Sequence, residues 1–153
     1  VWDLSHDPEY WYGVTVERGA VTALTLNGNN LSGTLPALSG LSKLRQLDLS
    51  DNHLTGTISS VSLLSGLESL ILTNNSLEGD LGGLSSSLSK ITKLGLGNNR
   101  FSMAGAEDFF TSMQRLVYLD LSGVEMNEIP ASVSSLKNLR FQESGGVVAA
   151  ADS

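Results

Sequence analysis

Between Val21 and Leu139 the apolar residues follow one rhythm. In Leu44 to Gly56, LRQLDLSDNHLTG, leucines stand at 44, 47, 49 and 54, and polar residues fill most of the positions between. The Leu-x-Leu alternation at 47 and 49 predicts a short strand. Leu47 and Leu49 then face one side, and Gln46, Asp48 and Ser50 the other. The pattern begins at Val21, Leu44, Leu67, Ile91 and Leu116, so the separations are 23, 23, 24 and 25 residues. Leu139 would begin a sixth unit, but Gln142 and Ser144 fall where its next two apolar residues belong.

A strand of this length cannot bury its apolar face alone. Equivalent strands stacked in parallel build a shared core, which is the logic of a solenoid. Each buried Leu-sized side chain contributes roughly 1.5–3 kcal/mol, so the units offset their chain entropy only together. Asn29, Asn52, Asn75 and Asn99 each fall eight residues after their unit's first apolar position. There the chain leaves the strand, and an inward Asn offers donor and acceptor to turn groups that lack partners. The four are expected to form a ladder that stops at unit five, where Val124 takes the slot.

The units L-x-x-L-x-L-x-x-N-x-L-x-G resemble the leucine-rich repeat family from Val21 to Leu139. The resemblance implies an α/β solenoid: a right-handed superhelix of about five repeats plus caps, with a parallel β-sheet on the concave face. LSGTLP, LTGTIS and LEGDLG, after the ladder Asn of units one to three, resemble the plant-specific subtype. That subtype implies an extra short strand beside the main sheet, with Gly33, Gly56 and Gly79 in its tight path. Units four and five depart from it. Phe109, Met113 and Leu116 recur at i, i+4 and i+7, a helical stripe of core residues. With Gly105-Ala106 this resembles the helical subtype, and unit five, with Met126 and Ile129-Pro130, the shorter typical one. The expected convex side is extended early and helical late, with curvature tightening where the helix is added.

PEYWYGVTV, Pro8 to Val16, has the frame of the plant-type N-terminal cap, with Glu9 and Val16 at the two cysteine positions. Trp11 is expected to shield the first leucine layer. Val14 to Val16 and Val21 to Leu24, across Arg18-Gly19, read as a hairpin leading into the repeats. One domain, 1–153, therefore divides into a cap (1–20), five repeats (21–138) and a C-terminal cap or tail (139–153). GGVVAAADS is no recognisable cap, so that end is expected either to fold Phe141 and Val147-Val148 back over unit five or to be covered by a partner.

Composition narrows the chemistry. The net charge of −7 disfavours nucleic acid and anionic lipid as partners. No apolar run reaches the ~18 residues of a membrane span, and no leader peptide is visible. With no cysteine there are no disulfides, thiolate metal sites or Cys nucleophiles. His6 and His53 lack metal-ligand spacing, GLGNN lacks the Lys of a phosphate loop, and Glu107-Asp108 favour the dipole at a helix start. Hence no enzyme activity, cofactor or metal is expected. Asn30 and Asn74 lie in glycosylation sequons. The family resemblance points outside the cell, whereas the missing cap cysteines suit a reducing or organellar compartment, and the compartment stays open.

What is left is the open sheet face, whose columns the register gives. One is Ala23, Gln46, Ser69, Lys93, Tyr118; the next is Thr25, Asp48, Ile71, Gly95, Asp120. The candidate binding residues are Gln46, Asp48, Ile71, Lys93, Tyr118 and Asp120, with Tyr118 the one aromatic anchor. The expected function is a non-catalytic module that binds another protein, as a recognition domain or an accessory subunit of a larger assembly. The alternatives are ice or flat-surface binding, suggested by columns of small polar residues, and a structural spacer in a longer receptor-like chain.

Overall fold

The computed structural model describes residues 7, 11–84, 87–125 and 130–140. Among the described residues ten strands form two sheets, and every strand after the second runs parallel to its neighbours. The first sheet joins β1 (Val14–Glu17), β2 (Ala20–Thr25), β4 (Gln46–Asp48), β6 (Ser69–Ile71), β8 (Lys93–Gly95) and β10 (Tyr118–Asp120) in that order. The second joins β3 (Ser32–Thr34), β5 (His53–Thr57), β7 (Ser76–Asp80) and β9 (Arg100–Ser102). Each of the first four circuits of the chain thus lays one strand on each sheet and returns by a convex segment.

β1 and β2 form the antiparallel hairpin that the alternation predicts. Arg18 and Gly19 turn it with φ of 52° and 75°, the paired positive values that match the twist of the flanking strands. Trp11 is half-buried just before the hairpin.

Leu44, Leu47, Leu67, Leu70, Ile91, Leu94 and Leu116 are essentially buried, while Val21 and Leu24 of the first unit and Leu119 of the fifth are partly buried against the same core. The convex returns have a rhythm of their own, with apolar residues every third position. In Leu38-Leu41-Leu44, Ile58-Val61-Leu64-Leu67 and Val133-Leu136-Leu139, each residue after the first donates its backbone N–H to the carbonyl three residues back. That pattern is 3-10 in character, and it tucks one side of each return into the core. Such turns cover Ser59–Leu63, Gly82–Leu84 and Ala131–Ser135.

Two expectations change. The second sheet does not end with unit three: β9 in unit four pairs with β7, without the glycine that units two and three use. Gly56 and Gly79 carry φ of 77° and 107° within five-residue strands. Met103 takes that slot in unit four, so β9 stops after three residues and the positive φ falls at Gly105, 71°. The helix is shorter than the stripe suggests. It is α1, Ala106–Thr111, six residues long. Met113 and Leu116 lie beyond it in a 3-10-type connection and are fully buried all the same. Phe110, outside the stripe, is buried too, its ring 5.1 Å from that of Phe109 in an edge-to-face pair. Met126, Ile129, Phe141 and Val147-Val148 lie outside the described residues, as do Glu9 and His6. Among the described residues no helix is long and apolar enough to cross a membrane.

Candidate binding site on the concave sheet

The strands hold their register through side chains that act at each turn. Asn52 is buried, and its Oδ1 accepts the N–H groups of Asn29 and Leu31 at 3.1 and 2.9 Å. Its Nδ2 donates to the carbonyls of Leu26, Leu49 and Ser50 at 2.9–3.0 Å. Asn75 and Asn99 repeat the arrangement, accepting from Leu54 and Leu77 and donating to Leu49 and Leu72 of the preceding rung. Every bond of this kind would be an unsatisfied buried group without the amide. Asn29 differs. It is exposed at the first rung, and its amide donates only to Asn27, at 2.9 Å. Val124, in the fifth slot, is buried and apolar.

A second column runs outside the first. Gly28, Asp51, Asn74, Asn98 and Gly123, each one residue before the ladder slot, all have positive φ. Asn74 donates to Asp51 Oδ1 at 2.7 Å, and Asn98 donates to Asn74 Oδ1 at 2.7 Å. The sequence signal is that the slot holds only Gly, Asp and Asn, the residues that visit left-handed backbone most readily.

On the concave face the registers are Gln46–Ser69–Lys93–Tyr118 and Asp48–Ile71–Gly95–Asp120. Neighbouring strands lie roughly 4.8 Å apart, so each column is a continuous stripe. Gln46, Asp48, Ile71, Lys93 and Tyr118 line one open depression of about 450 Å³, together with Thr25, Leu47 and Ser69. Asp120 is outside that lining. Its carboxylate leans over rung four, where a Cβ built on Gly97 would lie 2.8 Å from Asp120 Oδ1. Gly95 is likewise covered, by Ile71 and Thr73. The two glycines therefore make no open slot; their neighbours from rungs three and five close over them.

Both acids of the face are tied locally. Asp48 Oδ1 accepts the Ser50 N–H at 3.0 Å and the Ser50 hydroxyl at 2.7 Å. Asp120 Oδ1 accepts the Ser122 N–H at 2.9 Å. One oxygen of each carboxylate thus orients the side chain at its own strand end. Tyr118 is half-buried, and burial, with the Asp120 charge as a lesser cause, raises its pKa above 10.0. Its phenol stays protonated and remains a hydrogen-bond donor. The depression offers a phenol, an ammonium, an amide, a carboxylate and an aliphatic side chain on a rigid sheet. Among the described residues no group of three His, Cys, Asp or Glu could hold a metal ion.

Stacked parallel strands, an inward asparagine ladder and a polar concave stripe define a leucine-rich repeat solenoid. The leucine-rich repeat family model matches residues 43–63. Solved structures extend the likeness over most of the chain. The BIR2 ectodomain from Arabidopsis thaliana superposes with a TM-score of 0.76 at 28 % identity, covering 88 % of this chain and 75 % of that one. The plant peptide hormone receptor RGFR1, in complex with RGF2, gives 0.74 at 32 % identity, covering 90 % of this chain and 22 % of the receptor chain. BIR3 in complex with SERK2 from Arabidopsis thaliana gives 0.73 at 26 %, covering 87 % and 74 %. The chain thus spans three quarters of one ectodomain and less than a quarter of the hormone receptor. It belongs to the leucine-rich repeat family.

Proposed function

We propose that this domain binds another protein without catalysing a reaction, and that the contact centres on the concave depression around Tyr118. The observation that carries the reading is the convergence of Gln46, Asp48, Ile71, Lys93 and Tyr118 on one hollow of a sheet whose other exposed positions are small and polar. Asp120 borders this hollow through its approach to Gly97. Tyr118 supplies the rigid amphipathic anchor on which hot spots usually centre. Ile71 adds an apolar wall, and Lys93 and Asp48 give opposite charges for orientation. The solved relatives support the reading, since one is a plant peptide hormone receptor in complex with RGF2 and another is BIR3 in complex with SERK2. Recognition domain and accessory subunit of a larger assembly both fit this surface.

The test is substitution on the face. The double variant Tyr118→Ala/Asp48→Ala should lose about 2 kcal/mol or more of affinity for a captured partner, roughly 30-fold. Unchanged capture by a folded variant removes the concave face from consideration.

A further inference from the structure

The net charge of −7 hides a strongly uneven distribution. Of the nine Lys and Arg residues, Arg18, Lys43, Arg45, Lys90, Lys93 and Arg115 lie at the first residue of a concave strand or shortly before it, whereas Arg100 lies beyond the concave strand of its rung. Only Glu17 and Glu68 accompany them there among the acids of the described residues from Trp11 onward. The leading flank of the solenoid is therefore basic, while acids such as Asp51, Glu78 and Asp80 occupy the trailing side.

This flank is shaped as well as charged. Arg18, Lys43, Arg45 and Lys90 line an open groove of about 870 Å³ with Glu17 and Glu68. Among the described residues no ion pair holds these four cations. The backbone of Arg45, at the centre of the groove, is engaged on both sides. Arg45 donates to Thr22 at 2.8 Å, and its carbonyl accepts from Glu68 and Ser69 at 2.8 and 2.9 Å. The groove thus has no free strand edge to offer, and recognition there would run through side-chain charge.

We propose that this leading-flank groove is a second docking surface, and that it takes a short acidic, extended segment of another protein. Charge complementarity selects the sign. Size selects the class. A charge is felt only within a Debye length, about 8 Å at physiological salt. A short segment confined to the groove meets the local cations, whereas a duplex or a membrane plane would also face the acidic remainder of the molecule. Lys43 and Lys90 stand two rungs apart, roughly 10 Å by the strand spacing. In an extended chain, residues on one side recur roughly every 6.8 Å. Two carboxylates at alternate positions, roughly 6.8 Å apart, thus fit within the span of roughly 10 Å between Lys43 and Lys90.

The probe is a fluorescein-labelled decapeptide of alternating Glu and Ser, followed by anisotropy at 50 mM and 150 mM salt. Binding should be measurable at the lower salt and weaker at the higher. Arg45→Glu and Arg100→Glu change the net charge equally. The first should weaken binding at least tenfold and the second less than twofold. Tyr118→Ala should leave peptide binding unchanged, which keeps this groove distinct from the concave site. Should Arg45→Glu fail to melt cooperatively, the pair Lys43→Gln/Lys90→Gln makes the same comparison. No peptide binding, equal losses from the two Arg variants, or Arg45-dependent sedimentation with phosphatidylserine vesicles in preference to the peptide would overturn the proposal.

Discussion

Asn29 and Asn75 hold equivalent slots two rungs apart, with very different surroundings. Asn75 accepts from Leu54 and donates to Leu49 and Leu72, bridging two rungs. Asn29 has one amide bond, to Asn27 two residues away. Asn75→Ala should therefore cost about 1–3 kcal/mol, because backbone groups lose their partners, and Asn29→Ala at most about 0.5 kcal/mol. Urea denaturation of both variants decides, and equal losses would mean that the ladder amides do not set the register. Gly97 carries the opposite constraint. Gly97→Ala would push on the Asp120 carboxylate and the Ser122 hydroxyl, with an overpacking cost of about 1–3 kcal/mol measured the same way. The ladder slots are legible in the sequence because Asn recurs at a fixed offset. The weak position of Asn29 is not, since it follows from the absence of a repeat strand before it. The local ties of Asp48 and Asp120 had a signal in the two Asp-Leu-Ser triplets, whose serines sit two residues on.

The elements show where a sequence pattern carries through and where packing alters it. Leu-x-Leu spacing locates β4, β6, β8 and β10, because burial on one face of a parallel strand permits no other register. The convex returns are less legible. Phe109, Met113 and Leu116 fit a helical period, yet six residues of helix suffice before 3-10-type turns take over. A three-residue apolar rhythm and a helical one share positions over so short a span. Glu107 shows a tie between rungs that no local reading reveals. It does not merely favour its own helix dipole; its two oxygens accept the N–H groups of Ala131 and Ser132, 2.7 and 2.9 Å away, on the next return. The Ser132 N–H above all lowers the Glu107 pKa below 4.5. A carboxylate with a lowered folded value stabilises the fold above its unfolded pKa and loses that contribution as pH falls through the folded one. The stability difference between the parent and Glu107→Gln should hold from pH 7 to about 5 and shrink toward pH 3. Urea titrations across that range check it, and a pH-independent difference would contradict the latch.

At the scale of the molecule, the repeat leaves the two sheets, the core and the turns little freedom to vary, and function falls to the residues the repeat does not use. Tyr118, Lys93 and Ile71 were readable as a face from the register alone. That five of the six candidates share one hollow, with Asp120 leaning over rung four, required the side-chain geometry. The basic flank escaped a reading of net charge because opposite signs cancel in a sum and separate in space. Two grooves of different chemistry, one on the sheet and one beside it, leave room for two contacts on a single rigid scaffold. The most direct measurement is hydroxyl-radical footprinting of the domain with and without a bound protein partner. Tyr118 and Ile71 should be protected in the complex, while Tyr12, 76 % exposed at the cap, keeps its labelling. Unchanged labelling of Tyr118 and Ile71 in a saturated complex would contradict the concave-face account.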